Sequence, residues 1–228
     1  MSRPRIAIVM DENTSTDASR YEAHKGYFRG VHEAGGLPFG IPFLAEMVET
    51  VPRDFDALMV IGGRFAYPDE WYVDGERSRA SHSDRFAMDA GLIGEFMEQD
   101  KPILGICAGM QALACLNGCR LNADIGALLP GALEHDKAGL LHPVRIATGT
   151  LLHQAVGTTR MKVNSFHREA VVEMGSGVVA SAHALDAVIE AIEIDGLRFA
   201  VGLQWHQERF VGLEHEGNAI FNAFVGAC

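Results

Sequence analysis

Cys107 lies between a short apolar run and the start of a helical segment, a position suited to a reactive thiol. Residues 103–106 are typical of a buried strand, and helical periodicity follows the cysteine directly. Gly105 and Gly109 leave room for the sharp strand-to-helix turn of a nucleophile elbow. The helix N-terminus favours the thiolate and places the Ala108 N–H where an oxyanion would form. A small buried apolar residue is the alternative interpretation, and this pattern alone leaves both open.

His206 and Glu208 are the candidate base and its orienting carboxylate. A thiolate needs a partner that holds its proton and returns one to the leaving amine. Residues 199–205 have a buried-strand pattern that ends at His206. Because side chains two apart in an extended segment share a face, we expect Glu208 to hydrogen-bond the imidazole nitrogen that faces away from sulfur. A surface ion pair explains the same spacing nearly as well.

The other cysteines predict neither a disulfide scaffold nor a zinc site. Four cysteines are few for a chain of 228 residues. Cys115 and Cys119 lie four positions apart, with no CxxC spacing and no nearby histidine pair, and Cys228 is terminal. We therefore expect a reduced, cytoplasmic protein with no metal or organic cofactor.

The composition predicts a soluble protein with a single domain over residues 1–228. The formal net charge of −11 argues against a nucleic acid or an anionic membrane as partner, because both require a basic face. The apolar run at residues 6–10 is too short for a secretory signal and predicts a first strand. No stretch of the sequence reaches the roughly 18 apolar residues of a membrane span.

Alternation of short apolar runs with helical periodicity predicts an α/β fold. Residues 37–43 contain two prolines, which favours an edge strand, and residues 57–61 and 103–106 predict buried strands. Beyond residue 118, further strands are predicted at residues 144–147, 161–163, 178–182, 188–194 and 199–205.

The helices are predicted from caps and periodicity. Ser19 and Glu22 have capping-box spacing, which predicts a helix from there to about residue 34. A second helix is predicted from Arg85, and its expected buried positions are Phe86, Ala90, Ile93 and Met97. A last helix is predicted with Ile220, Ala223 and Phe224 on one face. Residues 64–84 are polar, aromatic and without periodicity, which predicts a long irregular loop. Loops of this length inside compact domains tend to be functional.

Five motifs, in this order, resemble the class I glutamine amidotransferase superfamily, and most closely its peptidase C26 branch of γ-glutamyl-γ-aminobutyrate hydrolases. They are Tyr27 with residues 34–38, the Gly62-Gly63 turn, and residues 105–111, 163–167 and 202–208. The resemblance implies a flavodoxin-like, three-layer α/β fold with a mostly parallel central sheet flanked by helices and a nucleophile elbow. It also favours Cys107 as a nucleophile over the buried apolar interpretation.

The resemblance implies roles for further residues. The triad would be Cys107, His206 and Glu208, and the Gly62-Gly63 turn would supply a second oxyanion N–H, that of Gly63, opposite Ala108. The glutamyl-binding side would be lined by Gln111, Asn164, Ser165, Phe166 and His167. An ordinary turn is the alternative both for residues 164–167 and for Gly62-Gly63.

The sequence departs from the family pattern at several positions. Gln207 replaces the usual proline between the histidine and the glutamate, and residues 167–169 read His-Arg-Glu where His-His-Gln is usual. Phe65 stands where an aspartate is frequent, and Phe86 follows Arg85 where an aspartate is usual. These changes cluster where the distal part of a substrate should lie, so the resemblance supports the bond cleaved more than any particular substrate.

The sequence therefore predicts a cysteine hydrolase that cleaves a γ-glutamyl amide to glutamate and an amine through a glutamyl thioester. The loop at 64–84 would close over the amine side, and an anionic leaving portion is compatible with Arg64, Arg77, Arg79 and Arg85. One alternative is the glutaminase subunit of a two-component amidotransferase that delivers ammonia to a partner synthase. Another is a catalytically silent thiol sensor on the same fold. Homo-oligomerisation is compatible with each.

Overall fold

A nine-stranded sheet forms the centre of the molecule in the computed structural model, which describes residues 2–13, 20–129, 131 and 133–228. The strands are β1 (Arg5–Val9), β2 (Asp11–Glu12), β3 (Tyr21–Glu22), β4 (Leu37–Ile41), β5 (Ala57–Val60), β6 (Ile103–Ile106), β7 (Arg120–Asn122), β8 (Leu140–Ile146), β9 (Arg160–Ser165), β10 (Ala170–Glu173), β11 (Val178–Ala184), β12 (Ile189–Ile194) and β13 (Ala200–Leu203). The order in the large sheet is β4-β1-β5-β6-β13-β12-β11-β8-β9.

The five strands from β4 to β13 are parallel, and β12, β11, β8 and β9 continue the sheet with antiparallel pairing. The predicted mostly parallel sheet is thus confirmed, as is the edge position of β4. The strands predicted in the second half of the chain are all present, with ends shifted by a few residues. In a parallel sheet, ligands bind at the carboxyl ends of the strands. Here β6 and β13, which are neighbours, end just before Cys107 and His206 respectively.

Helices cover both faces of this sheet. They are α1 (Lys25–Glu33), α2 (Met47–Asp54), α3 (Arg85–Glu98), α4 (Ala108–Leu116), α5 (Ile125–Leu128), α6 (Leu151–Val156) and α7 (Ala219–Gly226). Apolar side chains of α2, α3 and α4 form one core with alternate strand residues, and those of α1, α6 and α7 form a second core on the opposite face. This confirms the three-layer α/β architecture.

The first helix begins later than predicted. Tyr21 and Glu22 pair with Asp11 and Glu12 as a short antiparallel ribbon, and α1 starts at Lys25. Its cap is the His24 side chain, which accepts the Gly26 N–H at 3.1 Å. Ser19, the other half of the predicted capping box, lies outside the described residues. The predicted helix start was therefore wrong, because cross-strand pairing competes with the helix for Glu22.

The face that α3 buries also differs from the prediction. Its buried apolar residues are Met88, Leu92, Ile93 and Phe96, so of the predicted positions only Ile93 is fully buried. The ion pair Arg85–Asp89 is buried on the same face. Because a charged pair occupies two positions of the inner face, apolar periodicity alone misplaces that face by about one residue.

Residues 64–84 are irregular, as predicted, apart from one 3-10 turn at Asp69–Trp71. The segment is nevertheless packed: Phe65, Tyr67 and Tyr72 are buried, and Tyr67 stacks on Trp71 with ring centroids 5.3 Å apart. Among the described residues, no helix has the length and apolar character needed to cross a bilayer.

Candidate active site

Cys107 occupies a strained strand-to-helix turn. Its backbone angles are φ 52° and ψ −106°, in a region that non-glycine residues rarely adopt. The Cys107 N–H donates to the Leu203 carbonyl at 2.7 Å, which ties the turn to the end of β13. A side chain at Gly105 would lie 2.6 Å from the Gly109 carbonyl oxygen, and one at Gly109 would lie 2.1 Å from the Val60 carbonyl oxygen. These glycines permit close backbone contact, and the elbow predicted from the sequence is confirmed.

His206 and Glu208 lie beside the elbow. The His206 Nδ1 is 2.8 Å from the Glu208 Oε1, and both side chains are buried. The segment between them is a 3-10 turn, Gln207–Phe210, and not the extended chain that the sequence suggested. The two side chains meet because the turn folds Glu208 back towards the imidazole.

The charge state of His206 is set by its neighbours. Burial opposes protonation, but interaction with Cys107 and hydrogen bonds to Cys107 and Glu208 outweigh it and raise the pKa of His206 to about 10. The imidazole is therefore charged at neutral pH, with Cys107 on one side and Glu208 on the other. A protonated imidazole beside a cysteine favours the thiolate, which is the reactive form of a cysteine nucleophile.

Asn164 fixes the backbone of His206. Its Nδ2 donates to the His206 carbonyl at 2.8 Å, and its Oδ1 accepts the His206 N–H at 2.9 Å. Asn164 and Ser165 were predicted to line the substrate site, but neither lines the two cavities at Cys107. The Ser165 Oγ donates instead to the His135 carbonyl at 3.0 Å.

Gln207 takes over the stiffening role of the family's usual proline. It is fully buried, its Oε1 accepts the indole N–H of Trp205 at 2.9 Å, and its Nε2 donates to the Asn218 Oδ1 at 2.9 Å. These contacts anchor the turn that carries His206 and Glu208. The sequence could flag the substitution but could not indicate these partners.

The Gly62-Gly63 turn is held from two sides. The Gly62 N–H donates to the Tyr27 hydroxyl at 3.3 Å, while the buried Arg85 guanidinium donates to the Gly62 carbonyl at 2.8 Å and also binds the Ile61 carbonyl. A side chain at Gly62 would lie 2.7 Å from the His206 Cε1. The turn is thus in contact with the imidazole.

Arg85 is one of the four arginines that the sequence offered for an anionic leaving portion, and in the structure it has other partners. Its side chain is fully buried and is bound to the carboxylates of Asp11 and Asp89 at 3.0 and 3.2 Å. Coulombic interaction with these carboxylates overcomes burial and raises the pKa of the guanidinium. Arg85 is a brace beneath the Gly62-Gly63 turn.

Two cavities meet at Cys107. The first, of about 320 Å³, includes Gly63, Tyr67, Gln111, His167 and Glu169 in its lining. The second, of about 510 Å³, includes Tyr27, Gly62, His206, Glu208 and Arg209 in its lining.

The two cavities share part of their walls. Both are lined by Cys107, Gly63, Arg64 and Phe166. The predicted residues Gln111, Phe166 and His167 therefore lie at the cavities beside the thiol.

The wall of the first cavity is polar and ordered. Gln111 donates through Nε2 to the Glu169 carbonyl at 2.9 Å and to the Gln204 Oε1 at 3.1 Å. The Glu169 carboxylate accepts hydrogen bonds from Tyr72 at 2.7 Å and Ser78 at 2.6 Å. These hydrogen bonds lower the pKa of Glu169, but burial outweighs them and raises it above its usual value.

Arginines also line the first cavity. Arg64 and Arg168 share the carboxylate of Asp136, at 2.5 and 3.2 Å, and Arg79 binds Asp124 at 2.8 Å. The Arg64 guanidinium also lies 4.9 Å from the centroid of the Phe166 ring. The cavity thus presents both guanidinium groups and a carboxylate.

The remaining described cysteines have structural surroundings. Cys115 and Cys119 are buried, and burial raises the pKa of both thiols. The Cys119 Sγ accepts the Gly175 N–H at 3.2 Å. A group of side chains that could bind a metal ion lies elsewhere in the structure. His135, His142 and Glu190 each have one potential ligand atom, and these three atoms lie within 4.8 Å of one another.

This fold, with a cysteine at its strand-to-helix elbow, is that of the class I glutamine amidotransferases. The family model of peptidase C26 matches residues 4–208, and the chain belongs to that family. Protein NtpR of Enterococcus hirae is 30% identical over 213 residues, which cover 88% of this chain and 87% of that protein. The γ-glutamyl-γ-aminobutyrate hydrolase PuuD of Escherichia coli K12 is 25% identical over 241 residues, which cover 100% of this chain and 94% of that protein. The crystal structure of a glutamine amidotransferase of Thermotoga maritima superposes with a TM-score of 0.59 at 17% identity. The superposition covers 90% of this chain and 76% of that protein.

Proposed function

We propose that the protein hydrolyses a γ-glutamyl amide to glutamate and a free amine through a thioester on Cys107. The observation that carries the proposal is the position of Cys107 at the junction of two cavities, only one of which is lined by His206. A bond cleaved at this junction has its acyl part in the first cavity and its leaving amine in the second, beside the imidazolium.

The reaction runs in two steps. The Cys107 thiolate attacks the γ-carbonyl carbon, and the carbonyl oxygen becomes an oxyanion that the N–H groups of Ala108 and Gly63 stabilise. His206 gives its Nε2 proton to the nitrogen as the C–N bond breaks, and the amine departs. His206 then takes a proton from water as the water attacks the thioester, and collapse returns glutamate and the Cys107 thiolate. Glu208 keeps the Nδ1–H oriented and the imidazolium charged.

The first cavity suits the amino-acid end of a glutamyl group. That end carries one carboxylate and one ammonium, and the lining offers Arg168 and Glu169 as opposite charges on adjacent residues. A guanidinium carries five N–H donors, so Arg168 can bind a second carboxylate while it stays paired with Asp136. We therefore assign the α-carboxylate to the arginine side of the cavity and the α-ammonium to Glu169.

The second cavity would hold the leaving amine, and its lining carries both signs of charge. Asp11 and Glu22 are acidic, while Arg64 and Arg209 are basic. PuuD is named for an amide whose amine part bears a carboxylate. Asp11 is already bound to the buried Arg85, so Glu22, Arg209 and the half-exposed Arg64, which is paired with Asp136, are the charges that would select the amine.

Three sets of γ-glutamyl amides test the proposal: those whose amine part is neutral, carries a carboxylate or carries a second ammonium. Glutamate release is measured by mass spectrometry, and the acyl-enzyme is trapped by acid quench. We expect turnover and a mass increase of one glutamyl group on the wild type and on Cys228→Ser, the matched cysteine control. Cys107→Ala should show neither.

Other outcomes overturn the proposal. Turnover of free glutamine alone, stimulated by a synthase, would identify a glutaminase subunit. Oxidation of Cys107 by peroxide with no acyl-enzyme on any amide would identify a thiol sensor. Glutamate release by Cys107→Ala at the wild-type rate would exclude the thioester.

A further inference from the structure

A buried group of three histidines surrounds one carboxylate next to the first cavity. The Glu190 Oε1 is 3.3 Å from the His135 Nδ1, 3.4 Å from the His142 Nε2 and 3.5 Å from the His167 Nε2. None of the four side chains is more than 1% exposed. His167 also lines the first cavity, so the group lies directly behind the candidate acyl site.

The outer nitrogen of each histidine is bound to an acceptor. The His135 Nε2 is 2.9 Å from an Asp186 carboxylate oxygen, the His142 Nδ1 is 3.4 Å from the Pro143 carbonyl oxygen, and the His167 Nδ1 is 3.1 Å from the Glu169 carbonyl oxygen. Because these oxygens only accept, each outer nitrogen carries the N–H. In a neutral imidazole, the inner nitrogen then presents a lone pair.

The inner atoms therefore face one another without hydrogen atoms between them when the imidazoles are neutral. Within the described residues, the inner nitrogens of His142 and His167 and both oxygens of Glu190 have no hydrogen-bond partner. The Ser165 Oγ, 3.1 Å from the His135 Nδ1, already donates its hydrogen to the His135 carbonyl. Lone pairs converging on a buried carboxylate require a cation among them, since an unpartnered buried charge is strongly unfavourable.

The spacing is that of ligands on one metal ion. Zinc ligands of nitrogen and oxygen lie about 2.0–2.1 Å from the ion, so the edges of their tetrahedron are about 3.3–3.4 Å long. The distances from the Glu190 Oε1 to His135 and His142 match this edge, the distance to His167 is slightly longer, and all three are long for hydrogen bonds. Histidines whose second nitrogen is held by a carboxylate or a carbonyl are also the usual form of metal-ligating histidines.

We propose that His135, His142 and Glu190 bind a divalent transition-metal ion, zinc by the chemistry of the ligands, with His167 next to them, 3.5 Å from the Glu190 Oε1. The site joins β8 and β12 with the segment before β8, and His167 comes from the segment after β9. Its role is structural, because the three ligands are buried and none of them lines either cavity at Cys107. Its effect on the reaction is indirect, since His167, which contacts Glu190, lines the first cavity.

Metal content tests the site without any use of activity. The full chain is produced without a histidine tag in zinc-supplemented medium and in a Cys107→Ala background, which removes the thiol beside His206. We expect inductively coupled plasma mass spectrometry to find about one zinc per chain. His142→Ala and Glu190→Gln should each lower the content at least tenfold, whereas the exposed control His82→Ala should keep it.

Cobalt replacement reports the ligand types. Cobalt-loaded protein should show visible d–d absorption of tetrahedral intensity and no thiolate charge-transfer band, because the ligands are nitrogen and oxygen. Folded Cys107→Ala protein, verified by circular dichroism, with less than a tenth of an equivalent of any transition metal would overturn the proposal and leave a proton as the shared cation. Full metal content in both His142→Ala and Glu190→Gln would also overturn it.

Discussion

Asn164→Ala distinguishes two roles that a residue at this position can have. The resemblance of the sequence implies a substrate-binding residue, whereas the structure has the Asn164 amide bound to the backbone N–H and carbonyl of His206 at 2.9 and 2.8 Å. Alanine removes both hydrogen bonds and leaves two buried backbone groups without these partners.

The magnitude follows from those two contacts. An unsatisfied buried donor or acceptor costs about 1–3 kcal/mol, and relaxation or water entry recovers part of it, so we expect a loss of about 2–4 kcal/mol in the free energy of unfolding. Misplacement of a catalytic group by about 1 Å costs about 10²-fold in rate. We therefore expect kcat to fall by about that factor, with KM changed less than threefold.

Urea denaturation and steady-state kinetics on the best γ-glutamyl amide measure the two effects. Asn222→Ala, on an exposed position of α7, is the matched control, and its free energy of unfolding should change by less than about 0.5 kcal/mol. A tenfold rise in KM with unchanged kcat and unchanged stability would refute a positioning role and restore the substrate-binding interpretation.

Three further predictions concern the imidazole. In Glu208→Gln, kcat should fall by roughly 10²–10⁴-fold with the fold retained, which circular dichroism and kinetics check; a loss under threefold would remove Glu208 from the mechanism. The pKa of His206 is raised to about 10, so protonated His206 stabilises the folded protein. Its contribution to the free energy of unfolding is complete below pH 6.5 and is lost as the pH rises through 10. The basic limb of the kcat/KM profile should accordingly lie near 10, and a limb near 7 would contradict the raised pKa of His206. Gly62→Ala should displace the imidazole and lower kcat at least tenfold, since the added methyl would lie 2.7 Å from its Cε1. Gly94→Ala, where nothing lies within 4 Å, is the control and should be active and slightly more stable.

The features that the sequence predicted correctly are those encoded locally. The elbow at Cys107 is visible because an apolar strand, a cysteine and a helix follow one another, with glycines where the backbones touch. His206 and Glu208 are two residues apart, so their contact required no knowledge of the fold. Their geometry differed only in detail, because a 3-10 turn replaces the expected extended chain.

The features that the sequence did not predict depend on pairing between distant segments. The clamp from Asn164 to His206 spans 42 positions, and the contact from Arg85 to Gly62 spans 23. The histidines around Glu190 come together through the register of β8 with β9, in which His142 is opposite Val163. No local pattern specifies that register, and a search for metal ligands by cysteine spacing could not find this group.

Gln207 has a consequence for how the enzyme loses order on heating. A proline would restrict the turn through its own ring, but the amide of Gln207 restricts it through Asn218, which precedes α7. The order of the turn is therefore linked to local opening of the last helix, a partial unfolding event with its own free energy. We expect hydrogen exchange at residues 206–210 to rise together with exchange in α7, below the temperature of global unfolding. Thermal inactivation would then follow that local event.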